Sequence, residues 1–276
     1  MKNIMFQQKW ISFFLTGFCV LLACGIFGCG VDEDDDSKFP GTGGTLQVWA
    51  IRDAFPADYI EEKWNEGYYV TSLVHGDGKW TVVMSKETGY TDQVYTTRDD
   101  FPKDYINLKW DEGYYVTSLA HSGIVLGDWG VVMSKGTGYT DQVWATRNDF
   151  PKDYINLKWD EGYYVTGLAH DDRQWAVVMS KGTGYTHQIW TTETSFPDKY
   201  IAEKQYEGYY VTCLAHGGII PGDWAVVMSK GTGYTAQVYA TRDDFPKDYI
   251  EEKWNKGYSV TGLAYGNRNW AVIMSN

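Results

Sequence analysis

One unit of 46–49 residues is written five times between about residue 41 and Asn276, and this repetition limits the fold more than any single motif. Each copy opens with Gln-Val or Gln-Ile before an aromatic residue. It continues through Phe-Pro-x-x-Tyr-Ile, a Gly-Tyr-containing β-branched run, and a Trp-x-Val-Val/Ile-Met-Ser segment. A unit of this size cannot bury its own apolar face, so the copies must pack on one another. The units open at Gln47, Gln93, Gln142, Gln188 and Gln237, with spacings of 46, 49, 46 and 49. The extra three residues always fall between the histidine of the unit and the tryptophan that follows it. Short and long units therefore alternate, which points to duplication of a two-unit block.

The second unit shows what each copy predicts. Residues 93–98 alternate and are β-branched, which predicts a strand. Asp99-Asp100-Phe101-Pro102 predicts a helix start, because proline needs no N–H partner in the first turn. Phe101 with Tyr105, and Ile106 with Trp110, are apolar pairs four apart on one helix side. Gly113 predicts the helix end. Strands follow at 114–120 and 129–134, and Gly136-Thr137-Gly138-Tyr139 turns the chain into the next copy. The expected fold class is an α+β repeat protein of five strand-helix-strand-strand units. Gly41-Thr42-Gly43-Gly44-Thr45 matches the inter-unit linker, and the chain stops at Asn276 just where another linker would begin. Neither end unit looks like a polar cap. These points favour closure into a five-fold α/β propeller, topologically similar to the pentein arrangement but without a pentein catalytic motif. The alternative is an open, curved solenoid.

Three regions are expected: 1–30, a lipoprotein-type signal or anchor; 31–40, an acidic solvated tether; and 41–276, a single five-repeat domain. Lys2 and Lys9 precede an apolar run at 11–27, the pattern of a secretory signal. Leu21-Leu22-Ala23-Cys24 looks like a bacterial lipobox, which makes Cys24 the candidate lipidation site, with Cys29 as the alternative. An uncleaved anchor and plain secretion stay open. The expected location is the bacterial cell envelope, lipid-anchored and outside the cytoplasm, with membrane contact through the N-terminus only. The net charge of −12 repels phosphate backbones, which argues against nucleic acid as a partner. Cys213 is the one cysteine of the repeats, so no disulfide can form within them.

The recurring Gly-Tyr-Tyr-Val-Thr-Ser-Leu-Ala, Trp-x-Val-Val-Met-Ser-Lys-Gly-x-Gly-Tyr and Phe-Pro-x-x-Tyr-Ile-x-x-Lys-Trp blocks carry a resemblance. They resemble a repeat region of unknown function that follows the kinase domain in plant casein-kinase-I-like kinases and in some bacterial Ser/Thr kinases. The resemblance covers residues 47–276. It implies an accessory or ligand-sensing module and assigns no catalytic residues. Kinase chemistry does not carry over, since the sequence has no His-Arg-Asp, no Asp-Phe-Gly and no glycine-rich loop with a strand lysine.

Thirteen tryptophans and 22 tyrosines exceed ordinary need. Trp49, Tyr95, Trp144, Trp190 and Tyr239 occupy one position of the first strand. They are the candidate ligand-binding residues, because rigid flat aromatics stack on sugars and anchor protein contacts; packing between units is the competing role. His75, His121, His170 and His216, with Tyr265 in the fifth unit, end the second strand as candidate rim residues. Five-fold geometry is expected to hold them too far apart for a metal, so neither metal nor cofactor is expected. Arg52, Arg98, Arg147 and Arg242 end the first strand, where Glu193 replaces arginine in unit four. A local salt bridge is the simpler role for them and an anion-binding ring the sharper one. The apolar loop tips Ile124-Val125-Leu126 and Ile219-Ile220-Pro221 are candidate contact points. The functional expectation is a surface-tethered, non-enzymatic binding module that recognises an envelope glycan or a partner protein through several weak sites. The alternatives are a hydrolytic enzyme acting in a central channel and a structural envelope spacer.

Overall fold

The computed structural model describes residues 35–36 and 46–276, apart from 124–126, 172 and 219–221. The leader with Cys24 and Cys29 and both apolar loop tips lie outside the described residues. No helix among the described residues is long and apolar enough to cross a membrane.

Every unit folds as its sequence pattern predicts. The first strands span Gln47–Arg52, Asp92–Arg98, Asp141–Arg147, His187–Glu193 and Gln237–Arg242. The helices are Ala57–Asn65, Lys103–Asp111, Lys152–Asp160, Asp198–Tyr206 and Lys247–Trp254. Second strands follow at Tyr69–Gly76, Tyr115–His121, Tyr164–Asp171, Tyr210–Gly217 and Ser259–Gly266. Third strands are Lys79–Ser85, Trp129–Lys135, Gln174–Lys181, Asp223–Lys230 and Asn269–Ser275. Within each unit the three strands form their own antiparallel sheet, with the third strand in the middle. That order follows from composition. The Trp-x-Val-Val-Met-Ser run is apolar on both faces, and its core is buried throughout, so it suits only a central position.

Each helix starts at a proline, carries an aspartate in its first turn and a lysine in its last, and so complements its own dipole. It ends in a glycine with positive φ. In unit two, Gly113 has φ +85°, its N–H donates to Trp110 O at 2.9 Å, and Tyr114 N–H donates to Lys109 O at 3.0 Å. This pair of bonds is a Schellman motif, and it satisfies carbonyls that the helix end would leave bare. In units one to four the recurring lysine closes the same turn by pairing with a glutamate three residues on, as Lys109 does with Glu112 at 2.7 Å, whereas in unit five Lys256 stands there and Lys253 pairs with Glu252.

The invariant threonines also have a structural reason. Thr71, Thr117, Thr166, Thr212 and Thr261 are the residues skipped where the second strand shifts register against the third. This is a β-bulge. Each threonine hydroxyl sits 2.7–2.9 Å from the serine hydroxyl at or next to the end of the third strand.

The cores bridge the units. Ala120 and Val132 of unit two pack into the apolar cluster of unit one. Trp49, Val74 and Val83 of unit one pack in the same way into the cluster of unit five. Second strands of successive units lie side by side, and that of unit five lies against that of unit one.

A glutamine ties each of these joints. The side chain of Gln93 accepts from Trp64 Nε1 at 2.9 Å and from Val70 N–H at 2.7 Å, and it donates to Val70 O and Ser134 Oγ at 3.0 and 2.8 Å. Gln142 and Gln188 repeat this set one unit later each time. Gln47 makes it with Trp254, Val260 and Ser85, between units one and five.

Candidate functional site

The first-strand aromatics are held between units. Trp49 is 1% exposed and lies 4.9 Å from the ring of Phe245. Tyr95, Trp144, Trp190 and Tyr239 are half-buried, each within 4.9–5.7 Å of the phenylalanine of the preceding unit. Both tyrosine hydroxyls are also engaged, Tyr95 Oη donating to Glu61 Oε1 at 2.8 Å and Tyr239 Oη to Asp198 O at 3.0 Å. The position thus packs one unit on the next, with part of each ring against the neighbouring phenylalanine and, outside unit one, part left exposed.

The histidines of four units and the tyrosine of the fifth face one common space. His75, His121, His170, His216 and Tyr265 line one cavity of about 70 Å3, along with leucines and alanines from all five second strands. That volume admits only a few water-sized occupants. Each of these rings meets the tryptophan near the start of the third strand of its own unit, as His170 meets Trp175 at 4.8 Å. Three of them also press on the next unit: a Cβ on Gly217 would fall 2.7 Å from the His170 ring, and one on Gly76 or Gly266 would overlap Tyr265 or His216. Burial pushes His75, His170 and His216 below the usual imidazole value, His170 to about 4. No group of histidine, cysteine and carboxylate side chains among the described residues has metal-holding geometry.

Beyond a girdle of Leu73, Leu119, Leu168, Leu214 and Leu263, a second small cavity is lined by Ser72, Ser118, Gly167, Cys213 and Gly262. The linker tyrosines Tyr90, Tyr139, Tyr185 and Tyr234 have raised pKa values, with burial the main cause and their mutual proximity and that of Cys213 adding to it. Sequence reasoning assigned these tyrosines no role. The Gly-Thr-Gly-Tyr repetition was the available signal, but only their convergence gives it meaning. The Cys213 side chain is buried, and that burial pushes its thiol up to about 12, which disfavours the thiolate.

The open concave surfaces are elsewhere, where the first strand runs into the helix. Clefts of about 340, 430 and 450 Å3 are lined by Arg52–Tyr59, Thr146–Tyr154 and Arg242–Tyr249. The arginine lies over the helix tyrosine, 5.3–5.6 Å from its ring, in all three. In units three and five two exposed acidic or amide-bearing residues precede the phenylalanine, Asn148 with Asp149 and Asp243 with Asp244, while unit one has Asp53 and Ala54. In unit one the cleft has a further neighbour. Asp35–Asp36, expected to be part of a solvated tether, forms a short strand that pairs antiparallel with the first strand.

Fold and surface together define a β-rich repeat module, built from three-stranded antiparallel sheets each with one helix. The chain belongs to the family described as domain of unknown function DUF7477, whose model matches residues 37–120, 88–216 and 175–276. Each match takes in parts of at least two units. No curated protein matches the chain.

Proposed function

We propose that this protein is a non-enzymatic, multivalent binding module held at the bacterial cell envelope by its N-terminal segment. Its five units close into a five-fold α/β propeller, and its repeated clefts receive an envelope glycan or a partner protein. The observation that carries the reading is the recurrence of one cleft, with the same arginine, phenylalanine, proline and tyrosine, in units one, three and five. Equivalent weak sites on one body gain avidity without new contacts. Closure draws support from Gln47, which bonds to Val260 as Gln93 bonds to Val70. Catalysis needs dissimilar groups at one point. His187 and Glu193 instead stand at opposite ends of one strand, and Cys213 is shut away in another. The resemblance to a region that follows kinase domains extends the reading to a sensing module with a kinase partner in trans.

The test is a binding screen of the full chain in detergent against envelope polysaccharides and envelope protein extracts, read by tryptophan fluorescence. A saturable shift that Asp149→Ala and Asp244→Ala weaken, at unchanged melting temperature, supports the cleft as the site. Binding that ignores both substitutions, or no ligand in either class, sinks the reading.

A further inference from the structure

The chain shows on its own unit one how a sheet of this kind takes a partner. Asp35 pairs with Ile51 and Asp36 with Ala50, so the acidic segment adds a strand to the free edge of the sheet. The Asp36 carboxylate meets the Arg52 guanidinium with both oxygens, Nη1 to Oδ1 at 2.5 Å and Nη2 to Oδ2 at 3.0 Å. Strand pairing sets the register and the fork reads the charge.

The same edge and the same fork recur elsewhere. In units two, three and five the first strand is again the edge strand. The positions of Ile51 and Arg52 are there occupied by Thr97 and Arg98, Thr146 and Arg147, and Thr241 and Arg242. Each arginine is exposed, and its Nη1 donates to the carbonyl of its own preceding residue at 2.7 Å, as Arg52 Nη1 does to Ile51 O at 2.9 Å. The guanidinium is thus held where Arg52 meets a carboxylate. Among the described residues none of the three is paired with an acid, even though Asp99 and Asp243 adjoin two of them. Unit four carries Glu193 here, which repels what the others attract.

We propose that the first-strand edges of units two, three and five bind an extended acidic peptide segment of a partner protein in strand register, one carboxylate seated on Arg98, Arg147 or Arg242. The inference rests on the binding-module reading and names the partner class. The net charge of −12 opposes such a ligand at long range, so recognition depends on the short-range fork and on several edges acting together.

The probe is a fluorescein-labelled, end-capped peptide, Val-Asp-Glu-Asp-Asp-Asp-Ser, titrated into the full chain and followed by anisotropy. The expected result is saturable binding with one peptide per arginine edge. Replacing Arg98, Arg147 and Arg242 together by glutamine weakens it by about tenfold or more, since each loses a charge-assisted fork. That variant stays folded, losing at most the exposed contacts of Arg147 and Arg242 with their helix tyrosines, and its folding is checked by circular dichroism beside the titration. Glu193→Arg adds a binding edge. The inference is overturned if the peptide does not bind, if the arginine variant binds it equally well, or if a peptide with asparagine and glutamine in place of the acids binds as tightly. A chain that ignores the peptide yet still binds an envelope ligand through Asp149 and Asp244 overturns this inference alone.

Discussion

Gln47 grips Val260 with both ends of one amide, Nε2 donating to Val260 O at 3.0 Å and Oε1 accepting from Val260 N–H at 2.7 Å. The two residues are 213 positions apart, and the grip is the one that Gln142 applies to Val116 only 26 positions away. The energetic consequence does not depend on sequence distance. Removing the amide leaves a buried N–H and a buried carbonyl without partners, at about 1–3 kcal/mol each. Gln47→Ala and Gln142→Ala should therefore lower stability by a similar ~3 kcal/mol in urea unfolding. A Gln47→Ala loss near zero beside a large Gln142→Ala loss would refute closure.

Acid should weaken the fold through the histidine cavity. His75, His170 and His216 are harder to protonate folded than unfolded, because burial penalises the cation. Their contribution is complete above the unfolded value near 6.5 and is lost as pH falls towards the folded values, about 4 for His170. The lowered Asp171 carboxyl, held by the backbone N–H groups of Arg173 and Gln174, acts in the same direction at still lower pH. Melting temperatures between pH 7 and pH 4 should fall. His170→Tyr, copying Tyr265, should fold and lose part of that dependence. An unchanged pH profile in this variant would exclude His170 as a source.

Gly113→Ala isolates backbone conformation, because a Cβ there meets nothing within 4 Å. The φ of +85° alone should cost about 1–2 kcal/mol, measured as a shift in urea midpoint at constant slope.

Cys213 should report unfolding. In a chain whose Cys19, Cys24 and Cys29 are serine, its enclosed thiol should resist Ellman's reagent in the native state and react at once in denaturant. Cys213→Ser, copying Ser72 and Ser118, should change stability by less than about 1 kcal/mol.

The sequence displayed what is local and repeated. Unit boundaries, the strand-helix-strand-strand order and Gly113 as a helix stop all follow from patterns a few residues long. It hid what depends on which units touch. The glutamines that served to mark register are the ties between units, a role visible only once Trp64 and Val70 are placed beside Gln93. Trp49 and its equivalents share one composition signal whether they face a ligand or the neighbouring phenylalanine, and only packing separates the two. That the four histidines and Tyr265 line one small space is also not written in any unit, because no unit states the width of the centre. Asp36 read as a solvated charge because its partner, Arg52, could not be assigned from charge alone.

One of the five ties is made differently. Where the other helices offer tryptophan to the glutamine of the next unit, the fourth offers Gln205, whose Nε2 reaches Gln237 Oε1 at 3.3 Å, and Tyr206 beside it is 97% exposed. The junction between units four and five therefore lacks the indole that seals the rest, and it is the fault line of the molecule. Amide deuterium uptake on warming should begin at Val211 and spread outward from there, so the repeats come apart in a set order despite their near-identity.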